Sequence, residues 1–198
     1  MKLINYYPVF LNLKNKLCVV IGGGKVAERK IKSLVECEAH IKLISPEITE
    51  DLKKLWQEKK IKWEQRRYKE GDLKGAFLVI AATSDKEVQK KIFKEAEERG
   101  IFCNVVDVPE LCTFIVPSVI RRGELCIAIS TSGASPALSR RIREKLEKEF
   151  SPSWEYHLKL IRHIRQEVLS SNLSSEEKEK NLLNLLLFLF IFTLKEKR

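Results

Sequence analysis

Up to residue 110 the chain alternates between short apolar runs and stretches in which apolar residues return every three or four positions. Leu17–Ile21 is rich in β-branched side chains and gives way to Gly22, Gly23 and Gly24, then to an amphipathic helical pattern over Lys25–Glu36. A second strand is predicted at 41–45, closed by Pro46. A helix follows over 49–60 with Leu52, Leu55 and Trp56 on one face, then a third strand at 61–66. Residues 77–82 are apolar throughout, the pattern of a strand buried on both faces of a parallel sheet. Ser84 and Glu87 form a capping box for a helix ending at Arg99-Gly100, and 101–106 is the fifth strand. Alternation at this pitch predicts an α/β fold, a doubly wound, Rossmann-like parallel sheet.

After Pro109 the rhythm changes. Residues 114–120 and 125–130 are expected to pair as a hairpin joined by 121–124. A helix is predicted over Pro136–Glu149, with Ser135 as N-cap, Pro136 in the first turn, and Leu138, Ile142 and Leu146 on one face. Another helix runs from Ser151-Pro152 to about 169. A polar linker, 170–175, precedes a last helix through 194. The expected organisation is a Rossmann-like domain at 1–112, a small β–α segment at 113–150 and a C-terminal helical domain at 151–198.

Composition narrows the class. The chain has 198 residues, of which 44% are hydrophobic, enough for a sizeable core. The net charge of +10 is spread along the sequence, and no basic stripe with interleaved aromatics points to nucleic acid. A small polyanionic substrate suits this balance. The five cysteines, 18, 37, 103, 112 and 126, form no C-x-x-C pair. Cys18, Cys103 and Cys126 lie in apolar strand-like runs and are expected to be buried, reduced thiols of a cytoplasmic protein. Residues 1–8 lack a long apolar core and a small-residue cleavage site, so no secretory leader is expected. The apolar run 182–194 would span about 20 Å as a helix, against roughly 30 Å for a bilayer core. A buried helix or a subunit contact is expected there, not a membrane span.

The strand–glycine–helix order is what a dinucleotide pyrophosphate requires. Gly22 permits the tight turn, Gly24 lets the backbone approach the phosphates, and the helix starting near Lys25 offers unpaired N–H groups and the positive end of its dipole. Ala27 stands where a third glycine often sits, and a purely structural turn is the competing reading. About 20 residues on, Ser45-Pro46-Glu47 ends the second strand, where an acidic residue often holds the adenosine ribose. No arginine is placed there for a 2′-phosphate, which favours NAD over NADP. Thr83, after the fourth strand, has two open readings, as a cofactor contact or as part of the next helix cap. Asp107, in Asn104-Val-Val-Asp107, falls just beyond the fifth strand at the edge where open α/β sheets place ligands. It is either a proton acceptor or a turn cap before Pro109. Thr131-Ser-Gly-Ala-Ser-Pro136 is a second small-residue loop feeding a helix, a candidate anion site with Arg121, Arg122, Arg140, Arg141 and Arg143 nearby in sequence. The histidines, 40, 157 and 163, form no cluster at ligand spacing, and no metal site is expected.

These stretches resemble the siroheme-synthesis precorrin-2 dehydrogenases, some of which are also sirohydrochlorin ferrochelatases. The resemblance rests on Gly22-Gly-Gly-Lys-Val-Ala-Glu-Arg-Lys30, Asn104-Val-Val-Asp107, Thr113-Phe-Ile-Val-Pro-Ser118 and Ala128-Ile-Ser-Thr-Ser-Gly-Ala-Ser-Pro136, which occur in the same order. It covers roughly residues 5–150; beyond them the chain matches only in being helical. It implies NAD-dependent oxidation of precorrin-2 to sirohydrochlorin on a homodimer whose 113–150 segments pair across a two-fold axis. It implies that Asp107 is catalytic, that Lys25 and Val26 belong to the pyrophosphate turn with Gly22, Gly23 and Gly24, and that Pro46 and Glu47 lie on the adenosine side. Insertion of Fe²⁺ into sirohydrochlorin is left open. A non-catalytic NAD-sensing module is the alternative from another functional class.

Overall fold

A computed structural model describes residues 5–195, with side chains described for all of these except 186 and 188–195. The start of the 1–8 segment, and the side-chain contacts of most of the apolar run 182–194, lie outside the described residues. The chain divides into two compact units between Val116 and Pro117.

The first unit is a five-stranded parallel sheet in the order β3-β2-β1-β4-β5, built from β1 (Leu17–Ile21), β2 (His40–Ile44), β3 (Lys62–Glu64), β4 (Leu78–Ala81) and β5 (Phe102–Val105). Helices α1 (Lys25–Glu36), α2 (Glu50–Gln57) and α3 (Lys86–Glu98) make the crossovers. Alternation along β1 sends Cys18 and Val20 to one face and Val19 and Ile21 to the other. The first face packs on Ala27, Ile31 and Leu34 of α1 and Leu52 of α2. The second packs on Ile92 and Ala96 of α3. Burial on both sides explains why β1 and β4 are continuous apolar runs. Ile31 is fully buried, and truncating such a side chain to alanine costs about 2–5 kcal/mol. Because β1 lies between β2 and β4, the strand order reverses at the β1/β4 boundary, the place where doubly wound sheets open a crevice for ligands.

The boundaries of β1 and α1 are those expected; others moved for identifiable reasons. Helix α3 is capped by Asp85, not Ser84: its Oδ1 accepts from the backbone N–H of Glu87 (3.0 Å) and Val88 (3.1 Å). Helix α2 begins at Glu50 with Thr49 as its N-cap. Trp56 on this helix is not core: it is exposed and packs edge-on against Trp63 at 5.4 Å.

The second unit holds the antiparallel hairpin β6 (Ser118–Arg122) and β7 (Leu125–Ile129), then α4 (Pro136–Glu149), α5 (Trp154–Ser170) and α6 (Ser175–Lys195). The hairpin starts later than expected. Thr113 and Phe114 are tied back to β5, through Thr113 N–H to the Cys103 carbonyl (2.8 Å) and Asn104 Nδ2 to the Phe114 carbonyl (3.0 Å). Helix α5 likewise starts only at Trp154, after a turn closed by Trp154 N–H on the Ser151 carbonyl. On α4 the stripe of Leu138, Ile142 and Leu146 is not an inner face. Leu138 is 50% exposed and Ile142 36%, whereas Ser139 is buried. Cys18 and Cys103 are buried as expected, but Cys126 on the hairpin is only half-buried, and no disulfide forms among the described residues. No helix among the described residues is long and apolar enough to cross a membrane.

Candidate functional site

The first unit brings most of the expected site residues to one edge of the sheet. Gly22 leaves β1 at φ +106°, and its N–H donates to the Ile44 carbonyl at the end of β2 (2.9 Å). A Cβ at Gly22 would sit 2.2 Å from the Ala82 carbonyl oxygen, so the turn is pressed against the end of β4. Gly23 is equally constrained from the other side. A Cβ there would meet the Glu47 carbonyl oxygen at 2.0 Å, and the Gly23 carbonyl accepts the Thr49 N–H (3.1 Å). Its role was not specified by the spacing alone. Nothing lies within 4 Å of a Cβ placed at Gly24. Gly24 is the N-cap of α1 and has no side chain to accept from the first-turn N–H groups. That first turn, with Lys25 and Val26 exposed, therefore faces open space with its backbone donors uncapped, which suits an anion.

On the β2 side the loop 45–49 is internally braced, with Ser45 Oγ donating to the Glu47 carbonyl (2.6 Å). Pro46 and Glu47 are exposed beside the glycine turn. Thr83 is half-buried at the end of β4. Its Oγ1 accepts the Asp85 N–H (3.3 Å) and its carbonyl accepts Gln89 Nε2 (2.7 Å), so it supports the start of α3.

Asp107 leaves the same sheet edge one strand further, after β5. Its side chain is exposed and its backbone is left-handed, φ +62°, a conformation that aspartate tolerates better than most residues. Cys112 holds this turn. Its Sγ accepts the Val105 N–H (3.3 Å) and lies 3.2 Å from the Val105 carbonyl and 3.3 Å from that of Val108. Burial pushes the Cys112 thiol up, so it serves as a neutral structural peg.

Two charged residues of the glycine motif had no role assigned from sequence. Lys30 is half-buried on α1. Burial and then the charge of Arg29 lower its ammonium, while Asp107 and Cys112 raise it, so Lys30 and Asp107 feel one another. Glu28 is buried, and its Oε2 accepts from Thr49 Oγ1 (2.7 Å) and Lys25 Nζ (3.0 Å), its Oε1 from Lys32 Nζ (2.9 Å). The Thr49 hydroxyl first, then Lys32 and Lys25, hold its carboxyl down at about 2.

In the second unit, the small-residue loop before α4 is closed by its own side chains. Thr131 Oγ1 accepts the Ser135 N–H (3.0 Å) and lies 3.2 Å from Ser139 Oγ, while Ser135 Oγ accepts the Leu138 N–H (3.2 Å). The anion-binding expectation for 131–136 thus meets a helix whose cap is already satisfied. Of the nearby arginines, Arg122 donates to the Phe150 carbonyl (2.7 Å), and Arg140 and Arg143 pair with Glu144 and Glu147 on their own helix. Of these arginines Arg141 lines a shallow concavity with Glu144, Lys145 and Lys148, and a second concavity, at 169–183, holds none of the expected site residues. Among the described residues no cluster of His, Cys, Asp and Glu is arranged to hold a metal ion.

Comparison with known proteins follows this division. A family model described as "Putative NAD(P)-binding" matches residues 9–118, and one described as "Sirohaem biosynthesis protein central" matches 122–149. A siroheme synthase of Methylobacillus flagellatus is 43% identical over 140 residues, 71% of this chain and 30% of that protein. A siroheme synthase of Vesicomyosocius okutanii is 36% identical over 175 residues, 88% of this chain and 38% of that one. The chain thus spans about a third of the length of these curated relatives. A solved structure of SirC, a precorrin-2 dehydrogenase, superposes with a TM-score of 0.80 at 27% identity, covering 91% of this chain and 89% of that one.

Proposed function

This chain belongs to the siroheme-synthesis family of NAD(P)-binding proteins, and we propose on that premise that it oxidises precorrin-2 to sirohydrochlorin with NAD as hydride acceptor. The observation that carries the reading is one sheet edge holding both an uncapped helix start behind a glycine turn and an exposed carboxylate on a left-handed residue.

The open space at Gly24 and the free N–H groups of the first α1 turn fit a pyrophosphate, with Lys25 and Val26 beside it. In this reading Glu47, on the braced 45–49 loop, takes the hydroxyls of the adenosine ribose, and the absence of an arginine in that loop favours NAD over a 2′-phosphate. Thr83 borders the opposite side of the turn. Bound NAD supplies hydride acceptance. The proton that leaves the substrate in the same oxidation goes to the Asp107 carboxylate, which is solvent-exposed and whose charge reaches the Lys30 ammonium. The excess of basic residues favours capture of a carboxylate-rich tetrapyrrole.

In this reading 1–112 binds NAD, 113–150 pairs two copies and 151–198 is a helical support. The exposed Leu138 and Ile142 on α4 support a homodimer, and the buried thiols of Cys18 and Cys103 support a cytoplasmic location. Asp107→Asn tests the assignment: turnover is expected to fall about 10²–10⁴-fold, the usual range for a positioned acid–base group, with NAD affinity retained. Full turnover in a folded variant would remove Asp107 from the mechanism. The same carboxylate is chemically suited to accept pyrrole protons displaced by Fe²⁺. Loss of sirohydrochlorin absorbance with Fe²⁺ faster than the spontaneous rate tests that second activity.

A further inference from the structure

A carboxylate in the first turn of a pyrophosphate-binding helix works against its own ligand, because it repels the incoming phosphates. Glu28 nevertheless sits in the first turn of α1, buried and fully partnered. Its partners explain where it acts. One oxygen, Oε2, accepts both Lys25 Nζ at the start of α1 (3.0 Å) and Thr49 Oγ1 at the end of the 45–49 loop (2.7 Å). Lys32 extends the same junction, bonded to Glu28 Oε1 (2.9 Å) and to Asp51 on α2 (2.7 Å). The backbone repeats the link through Thr49 N–H to the Gly23 carbonyl, and Gly23 leaves no room for a side chain against Glu47.

We propose that Glu28 is a positioning residue that fixes the spacing between the pyrophosphate turn and the ribose loop of the dinucleotide site, by holding Lys25 and Thr49 on one carboxylate. The proposal rests on the NAD-binding reading above. Buried ion pairs contribute little net stability compared with apolar packing, so a charged hub here is better suited to geometry than to holding the fold. The carboxyl is held at about 2 by its donors, so the junction stays charged throughout the working range of pH.

The test compares NAD with adenosine, which touches the ribose loop but carries no pyrophosphate. In Glu28→Gln and in Thr49→Val, the Kd for NAD should rise about tenfold, the size expected for loss of a hydrogen bond to a charged group, while adenosine binds as before. Thr49→Ser, which keeps the hydroxyl, should restore NAD affinity, and the double variant should be no weaker than the weaker single one. Without ligand, hydrogen exchange at the Thr49 amide should be faster in Glu28→Gln than in the unaltered chain. Unchanged NAD affinity in folded Glu28→Gln, or equal losses for NAD and adenosine, overturns the proposal and leaves the NAD reading intact. Failure of the unaltered chain to bind NAD overturns both.

Discussion

Helices α1 and α4 both start from glycine-containing loops of small residues, yet their first turns are finished in opposite ways. Ahead of α4, Thr131 and Ser135 supply oxygens that satisfy the loop and the helix N-terminus from within. Ahead of α1, Gly24 supplies none, and the turn's tight contacts run backwards, to Ala82 and Glu47, leaving its forward side open. A glycine-rich helix start becomes a ligand site when its donors are left for something else; the same loop chemistry with one well-placed serine is a structural cap. In sequence both loops are rich in small residues, and Ser135 against Gly24 at the N-cap position separates them.

The largest effect is expected from Gly23→Ala, which drives a Cβ to 2.0 Å from a backbone carbonyl oxygen. The turn must shift away from the 45–49 loop, and NAD-dependent turnover should fall by about 100-fold, read by NADH formation, since misplacement of this order costs that much in rate. Next is alkaline pH. Burial pushes the Cys18 and Cys103 thiols, both in the first unit, up to about 12. Their folded values are raised, so their stabilisation is complete below the unfolded value of about 8.5 and is lost as pH rises from there towards 12. At pH 9.5 the loss is on the order of 1 kcal/mol per thiol, visible as a lower denaturant midpoint for the first unit and diminished in Cys103→Ala.

Gly24→Ser is the conversion experiment. Its φ of −81° and ψ of −174° are open to any residue, and a serine there would cap α1 as Ser135 caps α4. NAD affinity should fall about tenfold while the melting temperature holds or rises slightly, because Ser gains only a few tenths of a kcal/mol over Gly as an N-cap. Tighter NAD binding in this variant would contradict the open-turn reading. The smallest effect is Ser135→Ala, which should cost about 1 kcal/mol in thermal unfolding and leave NAD binding unchanged.

The parts legible in sequence are those whose causes are local. An apolar run ended by Gly22 gives β1 its boundary, and the periodic pattern gives α1, both to the residue. Boundaries set by tertiary hydrogen bonds were not legible. Ser84 and Asp85 are both good N-caps, and Asp85 holds the position in the fold, where its N–H bonds Thr83 Oγ1. The delayed start of β6 follows from Asn104 reaching Phe114, which no periodicity records. The site itself shows the same division. The glycines, Asp107 and Glu47 stand at positions that strand ends predict. The left-handed turn at Asp107 has no glycine to announce it, and Glu28 depends on Thr49, 21 residues away in sequence.

The most direct test mixes the purified chain with precorrin-2 and NAD⁺ under anaerobic conditions and follows NADH absorbance together with the appearance of sirohydrochlorin. Stoichiometric growth of both, abolished by Asp107→Asn at unchanged NAD affinity, is the expected result. NAD binding without any NADH formation would contradict the account and return the chain to a dinucleotide-sensing module.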